Sequence, residues 1–351
     1  MREPETPYLV VDVPRLQRNI DRVAAAAAQA DVRLRPHAKT HKTAEIARLQ
    51  LAAGAVGLTV ATVGEAEAYV DQGVTDLFVA YPLWLDPRRA RRLAALSDRA
   101  VVTVGVDSAE SAANLARWLP GQAVLVELDS GHHRTGVRPR QAGEVASAAS
   151  DAGLDVLGVF TFPGHGYSPD GRDVAARDEA DALHVAAGSL RGVGIEPRVL
   201  SGGSTPTLQA ALAMGVPTEL RPGVYALNDA QQWELGSATA DDIALTCQAT
   251  VVSHAGGRIV VDAGGKALAA DRAPYNSGAA RLLDHPDAKV VLMSEHHAVI
   301  EGYDGPPPPL GSRLRLVPNH VCAAVNLADE LWADSGTGLE RWPVVARGRN
   351  S

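Results

Sequence analysis

From about residue 12 to residue 232 the chain repeats one rhythm: helical stretch, short apolar strand, polar glycine-rich turn. The strand candidates are VRLRPH (32–37), VGLTVAT (56–62), LFVAY (77–81), VVTVGV (101–106), AVLVELD (123–129), VLGVFTF (156–162), RVLSG (198–202) and LRPGVYAL (220–227). Their apolar residues run almost unbroken, as parallel strands covered on both faces require, because neither side of the pleat meets water. Helix starts lie between them. Asp12 precedes Pro14, Asp86 precedes Pro87, and Asp107 with Glu110 predicts a capping box ahead of SAANLARWL. About eight such units in succession predict an α/β fold of the TIM type, a (β/α)8 barrel, rather than an open doubly wound sheet.

After Gln232 the texture changes. CQATVVSH, GRIVVDAG, VVLMSEHHAVIE and SRLRLVPNHVCAAVNL alternate apolar with polar residues between Gly, Asp and Pro turns, which predicts an antiparallel β-domain. PYLVVD (7–12) has no helix before it and is expected to join that sheet. The expected division is therefore a barrel over 12–235, with 1–11 and 236–351 forming the β-domain. GPPPPLG (305–311) reads as a rigid surface turn, and the last residues, ARGRNS (346–351), are expected to fray.

Composition excludes several function classes. A net charge of −8 gives no reason to expect nucleic acid or an anionic membrane as partner. No apolar run is long enough to span a bilayer, and MREPETPYLVVD lacks the parts of a secretory signal. Two cysteines, Cys247 and Cys322, exclude a disulfide framework and fit a reducing, cytoplasmic setting.

The first chemical signal is RPHAKTHKT (35–43), directly after the first predicted strand. Chemistry in such barrels occupies the carboxyl ends of strands, where a desolvated lysine becomes nucleophilic. From spacing alone the plainer reading is a pair of solvated lysines at a helix start, so the motif needs a second signal. LSGGSTPT (200–207), after the seventh strand, supplies it. Two glycines let a backbone approach an anion, two hydroxyls add donors, and the following PTLQAALAM helix is expected to aim its N-terminus at the same spot. Phosphate sites in these barrels sit after strands seven and eight.

A lysine after strand one, a phosphate loop after strand seven and a trailing β-domain resemble the alanine racemase-like, fold-type III pyridoxal-phosphate (PLP) enzymes. Within them the chain is similar to the D-serine dehydratase / D-threonine aldolase-like family. The matching pieces are TPYLVVD, RPHAKTHK, ELDSGHHRTGV, FPGHGY, SGGSTPT, ELRPGVY and PNHVCAAVNL, spanning Thr6 to Leu327. The resemblance implies that Lys39 bonds the cofactor, that Gly202, Gly203, Ser204 and Thr205 cradle its phosphate, and that Arg134 lies near its phenolic oxygen. His165 and Tyr167 are placed to touch cofactor or substrate, Tyr225 to close over the phosphate, and Arg221 to face the pyridine nitrogen. His37, His41, His132, His133, His296 and His297 receive no role.

His320-Val321-Cys322 is the metal signal. On a strand, residues two apart share a face, so imidazole and thiolate could grip one ion, and that donor pair suits Zn²⁺ or another divalent metal. A buried Cys beside a His is the commoner situation. The resemblance adds that D-serine dehydratases carry a zinc-binding His-x-Cys here, where D-threonine aldolases typically show His-x-Asp. It implies a lyase of small D-amino acids: D-serine dehydration first, retro-aldol cleavage of a D-3-hydroxy amino acid second, racemisation third. A PLP-carrier protein is the non-enzymatic alternative, disfavoured because such carriers lack the β-domain. Relatives of this fold imply a homodimer.

Overall fold

A computed structural model of the chain describes residues 4–351. Two compact units emerge. One comprises Val23–Lys39, Gln50–Gly223 and Arg349–Ser351; the other comprises the described residues up to Arg22, Thr40–Leu49 and Val224–Gly348.

The first unit is a parallel (β/α) barrel. Its strands, in chain order, are Arg33–Leu34, Leu58–Val60, Asp76–Pro82, Val101–Val106, Ala123–Leu128, Asp155–Thr161, Val199–Gly202 and Glu219–Leu220. Each pairs in parallel with its neighbours, the eighth returning to the first. A parallel bridge between His37 and Thr59 closes the ring. Thr59 reinforces it, donating its N–H to Pro36 O (2.8 Å) and its hydroxyl to Arg35 O (2.7 Å). The continuous apolar runs are explained by burial: Val104, Val124, Val126, Val159 and Phe160 are each at most 1% exposed. Phe78, Leu125 and Phe160 form a core cluster inside the ring, with the Phe78 and Phe160 rings edge to face at 4.9 Å.

Several local expectations are corrected. The eighth strand stops at Leu220; Val224–Ala226 is a 3₁₀ turn, because Pro222 lacks an N–H for a ladder. The capping box before Ala109–Trp118 is made by Ser108 and Ser111, not Asp107 and Glu110, since the Ser108 side chain is the one that reaches the N3 backbone. Asp86 does cap Pro87–Ser97, accepting from Arg88 N and Arg89 N at 2.8 Å. The helix after the seventh strand begins only at Leu208 and has seven residues. The chain's end is tied down: Ser351 O accepts from Gly64 N (3.0 Å) and Arg92 (3.0 Å).

The second unit is built on a nine-stranded sheet. Six of its strands, Leu245–Ser253, Ile259–Val261, Ala298–Glu301, Lys289–Met293, Ala280–Leu282 and Arg313–Pro318, close into an antiparallel barrel. Tyr8–Asp12 joins it antiparallel to Leu245–Ser253, as its isolated apolar run predicts, and runs parallel to Glu330–Asp334. No helix among the described residues is long and apolar enough to cross a membrane.

Candidate active site

In the barrel unit, Lys39 follows the His37 bridge at the carboxyl end of the first strand. Its Nζ stands 5.8 Å from the ring centroid of Phe162, the residue just beyond the sixth strand. The Arg134 guanidinium lies over the same ring at 5.5 Å. His132 meets Phe162 edge-on at 5.5 Å, and Tyr167 is tilted against it at 6.1 Å. One aromatic ring therefore gathers four polar side chains from the first, fifth and sixth strand ends. Sequence reading passed over Phe162, although it is one of only three phenylalanines and sits where a strand ends.

The loop carrying Arg134 is shaped by two carboxylates. Asp129 Oδ1 accepts the N–H groups of Gly131 and His133 (2.9 Å each), and Glu127 Oε1 accepts the Thr135 hydroxyl (2.8 Å). Gly136 has φ +97°, and a Cβ there would lie 2.6 Å from Leu128 C, so only glycine returns the loop to the strand.

His37 is half-buried, and its ring Nδ1 is buried with no hydrogen-bond partner. Burial, followed by the fields of Lys39, Arg221 and Arg134, holds it well below the usual histidine range, so the ring is neutral. His165 Nε2 is engaged by Asp178 Oδ2 at 3.1 Å, while its Nδ1 is buried without a partner. Arg221 is buried inside the ring and donates to Ser201 Oγ and Thr161 O at 2.5 Å each.

The Gly202–Thr205 loop is backed by hydrogen bonds. Gly203, at φ +86°, gives its N–H to Glu179 Oε1 (2.6 Å), and Ser204 gives its N–H to Thr207 Oγ1 (3.1 Å). A Cβ on Gly203 would stand 2.7 Å from Leu220 Cδ2, and one on Gly202 would stand 2.4 Å from Glu179 Oε1. Neither position admits a side chain.

In the second unit, His320 and Cys322 do not lie on a strand. The strand ends at Pro318; His320 is the N-cap of the helix Val321–Leu327, and Cys322 is in its first turn. The helix forms because Val321, Ala324 and Val325 supply one buried stripe at helical spacing. Asp229 Oδ2 accepts its first N–H, from Val321, at 3.0 Å. The two side chains still meet, through a turn rather than a pleat. Burial opposes protonation of His320, but the Cys322 sulfur and Asp271 outweigh it, pushing the imidazole up to about 11. Asp271 Oδ2 lies 2.5 Å from His320 Nδ1, and Cys322 Sγ donates to Thr40 Oγ1 at 3.3 Å. Among the described residues no third His, Cys, Asp or Glu converges with this pair on a common point. Asp271 and Asp229 were missed in the sequence, being 49 and 92 residues from their partners. Tyr225, also in this unit, is buried in the 3₁₀ turn. Lys42 donates Nζ to Asn326 Oδ1 at 2.7 Å.

Residues 11–230 match the family described as alanine racemase, N-terminal domain, and residues 244–333 match the putative serine dehydratase domain. The chain is similar to D-threo-3-hydroxyaspartate dehydratase of Delftia sp. (strain HT23), with 34% identity over 91% of each chain. The structure of that dehydratase superposes with a TM-score of 0.89 at 32% identity, over 97% of both chains. Its solved forms include a His-to-Ala mutant and, two positions further along that chain, a Cys-to-Ala mutant in a metal-free form. The crystal structure of D-threonine aldolase from Filomicrobium marinum superposes with a TM-score of 0.87 at 32% identity, over 99% of this chain and 97% of that one.

Proposed function

Because the chain belongs to the alanine racemase-like, fold-type III PLP family, in its D-serine dehydratase and D-threonine aldolase-like branch, we propose that it is a PLP- and metal-dependent lyase that removes the β-hydroxyl of a D-3-hydroxy amino acid, leaving a 2-oxo acid and ammonia. The observation that carries the reading is the imidazole–thiol pair of His320 and Cys322, with Asp271 behind the imidazole. D-Serine is the favoured substrate; D-threonine and 3-hydroxyaspartate are the other candidates.

The residues fit the cofactor. Gly202 and Gly203 leave no room for a Cβ against Glu179 and Leu220, and Ser204 and Thr205 add two small hydroxyls to the loop that would hold the phosphate. His37 offers a neutral buried ring nitrogen beside three cations, surroundings that favour an anionic group. PLP, when bound, supplies an electron sink that acidifies the Cα–H of an attached amino acid. Lys39 Nζ would bond the cofactor and would serve as the base that takes the Cα proton. Phe162 is a shared neighbour of that amine and of the Arg134 guanidinium, at 5.8 and 5.5 Å from its ring centroid. Arg134 would neutralise the cofactor's phenolic oxygen, and His165, Tyr167 and Tyr225 complete the proposed cofactor set.

The donor pair also fits a metal. Asp271 accepts from Nδ1, which fixes the tautomer and leaves Nε2 as a ligand, an arrangement common behind metal-bound histidines. A divalent ion on His320 and Cys322 would act as a Lewis acid toward the substrate's β-hydroxyl, a poor leaving group unaided. Thiolate ligation favours zinc over magnesium. The dehydratase relative, with its His and Cys two positions apart, supports elimination over retro-aldol cleavage.

The experiment supplies D-serine, D-threonine and D-threo-3-hydroxyaspartate to the enzyme, with and without chelator, and identifies products. Oxo acid and ammonia, lost on chelation and in Cys322→Ala, support the proposal. Glycine and aldehyde would make the enzyme an aldolase instead. Full activity after complete metal removal sinks the metal-assisted reading.

A further inference from the structure

The helix Arg172–Gly192 packs one face inward, with Ala175, Ala176, Ala180, Leu183, Ala186 and Leu190 buried. In the middle of that apolar stripe stands a carboxyl group. Glu179 is 1% exposed, occupies a place where helical spacing calls for another Ala or Leu, and takes no part in the chemistry derived above. Leaving a carboxyl there is costly unless something uses it.

One oxygen is used. Oε1 accepts the Gly203 N–H at 2.6 Å, and a Cβ on the same glycine would meet Leu220. Oε2 is buried with no partner. A buried carboxylate is expensive, so burial pushes the group up to about 7 against the Gly203 N–H and the Arg221 charge, which makes it the neutral acid below that pH. A neutral acid also suits the neighbourhood of an incoming phosphate, which an ionised one would repel. The next peptide is held similarly, Ser204 N–H by Thr207 Oγ1. Two consecutive peptides are thus pinned from inside the protein.

We propose that Glu179 is a positioning residue for the anion loop, holding Gly203 from behind so that the loop selects the phosphorylated cofactor over its unphosphorylated form. This rests on the assignment of Gly202–Thr205 as the phosphate cradle. Preorganising a loop lowers the entropy lost on binding, and only a ligand that touches the loop benefits.

The test titrates apoenzyme with PLP and, separately, with pyridoxal, following the visible absorbance of the Lys39 adduct. Wild-type protein should prefer PLP. Glu179→Leu, which keeps bulk and removes the acceptor, should weaken PLP about tenfold or more while pyridoxal changes less than about twofold, since the Gly203 N–H is left buried without its acceptor. Glu179→Gln retains an acceptor oxygen and no charge, and should stay within about threefold of wild type for both ligands. Equal losses for PLP and pyridoxal, no loss for either, or a Gln variant as weak as Leu would each overturn the proposal. Should the Leu variant fail to fold, Glu179→Asp, whose carboxyl is withdrawn by one methylene, must lose the preference in its place. Ser204→Ala/Thr205→Val with an unchanged PLP preference would refute the cradle itself, an outcome separate from a failure of Glu179 alone.

Discussion

Replacing Asp271 by Ala should weaken metal binding without altering the fold. Its carboxylate, 2.5 Å from His320 Nδ1, orients the imidazole and fixes its tautomer. Loss of such a partner typically lowers metal affinity about 10–100-fold, or about 1.4–2.7 kcal/mol. A second effect opposes it. Asp271 also favours the imidazolium, and a metal must displace that proton, so its removal relieves competition at neutral pH. Side-chain exposure of 36% for His320 and 42% for Asp271 screens this contribution to no more than about 1 kcal/mol. Orientation wins: the net loss should be about 3–30-fold at pH 7. Because the imidazole is pushed up to about 11, the relief from proton competition stays constant between pH 7 and 9, and the deficit should not change over that range. Asp271→Asn, whose amide oxygen can still accept from Nδ1, should lose less than Ala. Competition against a chromophoric zinc chelator over pH 7 to 9, with denaturant unfolding of the apoprotein as control, reads all three. Ala binding zinc as tightly as wild type at every pH would refute the argument.

Borohydride reduction of the holoenzyme should label Lys39; peptide mapping to Lys42, whose Nζ is bonded to Asn326, or to Lys266, paired with Glu295 at 3.0 Å, would reject the assignment. Gly203→Val should weaken PLP binding and lower stability together. The φ of +86° and a Cβ 2.7 Å from Leu220 Cδ2 add strain and overpacking of about 2–5 kcal/mol, measurable by denaturant unfolding. Glu179 should make apoprotein stability fall with rising pH. Its folded value, about 7, exceeds the unfolded one, so the folded state binds the extra proton: the contribution is full below pH 4.5 and lost by about pH 7. The span is about 3 kcal/mol, and Glu179→Gln unfolded by urea at pH 4.5 and 7.5 should lack that slope.

The barrel strands could be read before any coordinates because burial on both faces leaves a local mark, the unbroken apolar run, and each strand needs only its own residues to show it. Lys39 and the Gly202–Gly203 turn were legible for a similar reason: a lysine placed just past a strand and paired glycines are local features with a stated chemistry. The His320 and Cys322 pair was found, but its setting was misread. Spacing of two satisfies a strand face, and the same residues also fit a helix start once Val321, Ala324 and Val325 find a buried side. The choice between them depended on Asp229, 92 positions away, which accepts the Val321 N–H.

What belonged to tertiary structure alone is the set of partners. Phe162 carries no catalytic chemistry, so nothing in its type announced that Lys39, Arg134, His132 and Tyr167 would meet it. Asp271 and Glu179 are ordinary acids in sequence, and their roles come from whom they face across the fold. Strand pattern and glycine placement are properties of neighbouring residues, set by backbone sterics and burial. The protonation, orientation and pairing of a side chain are set by surroundings assembled from distant segments, and those exist only once the chain has folded.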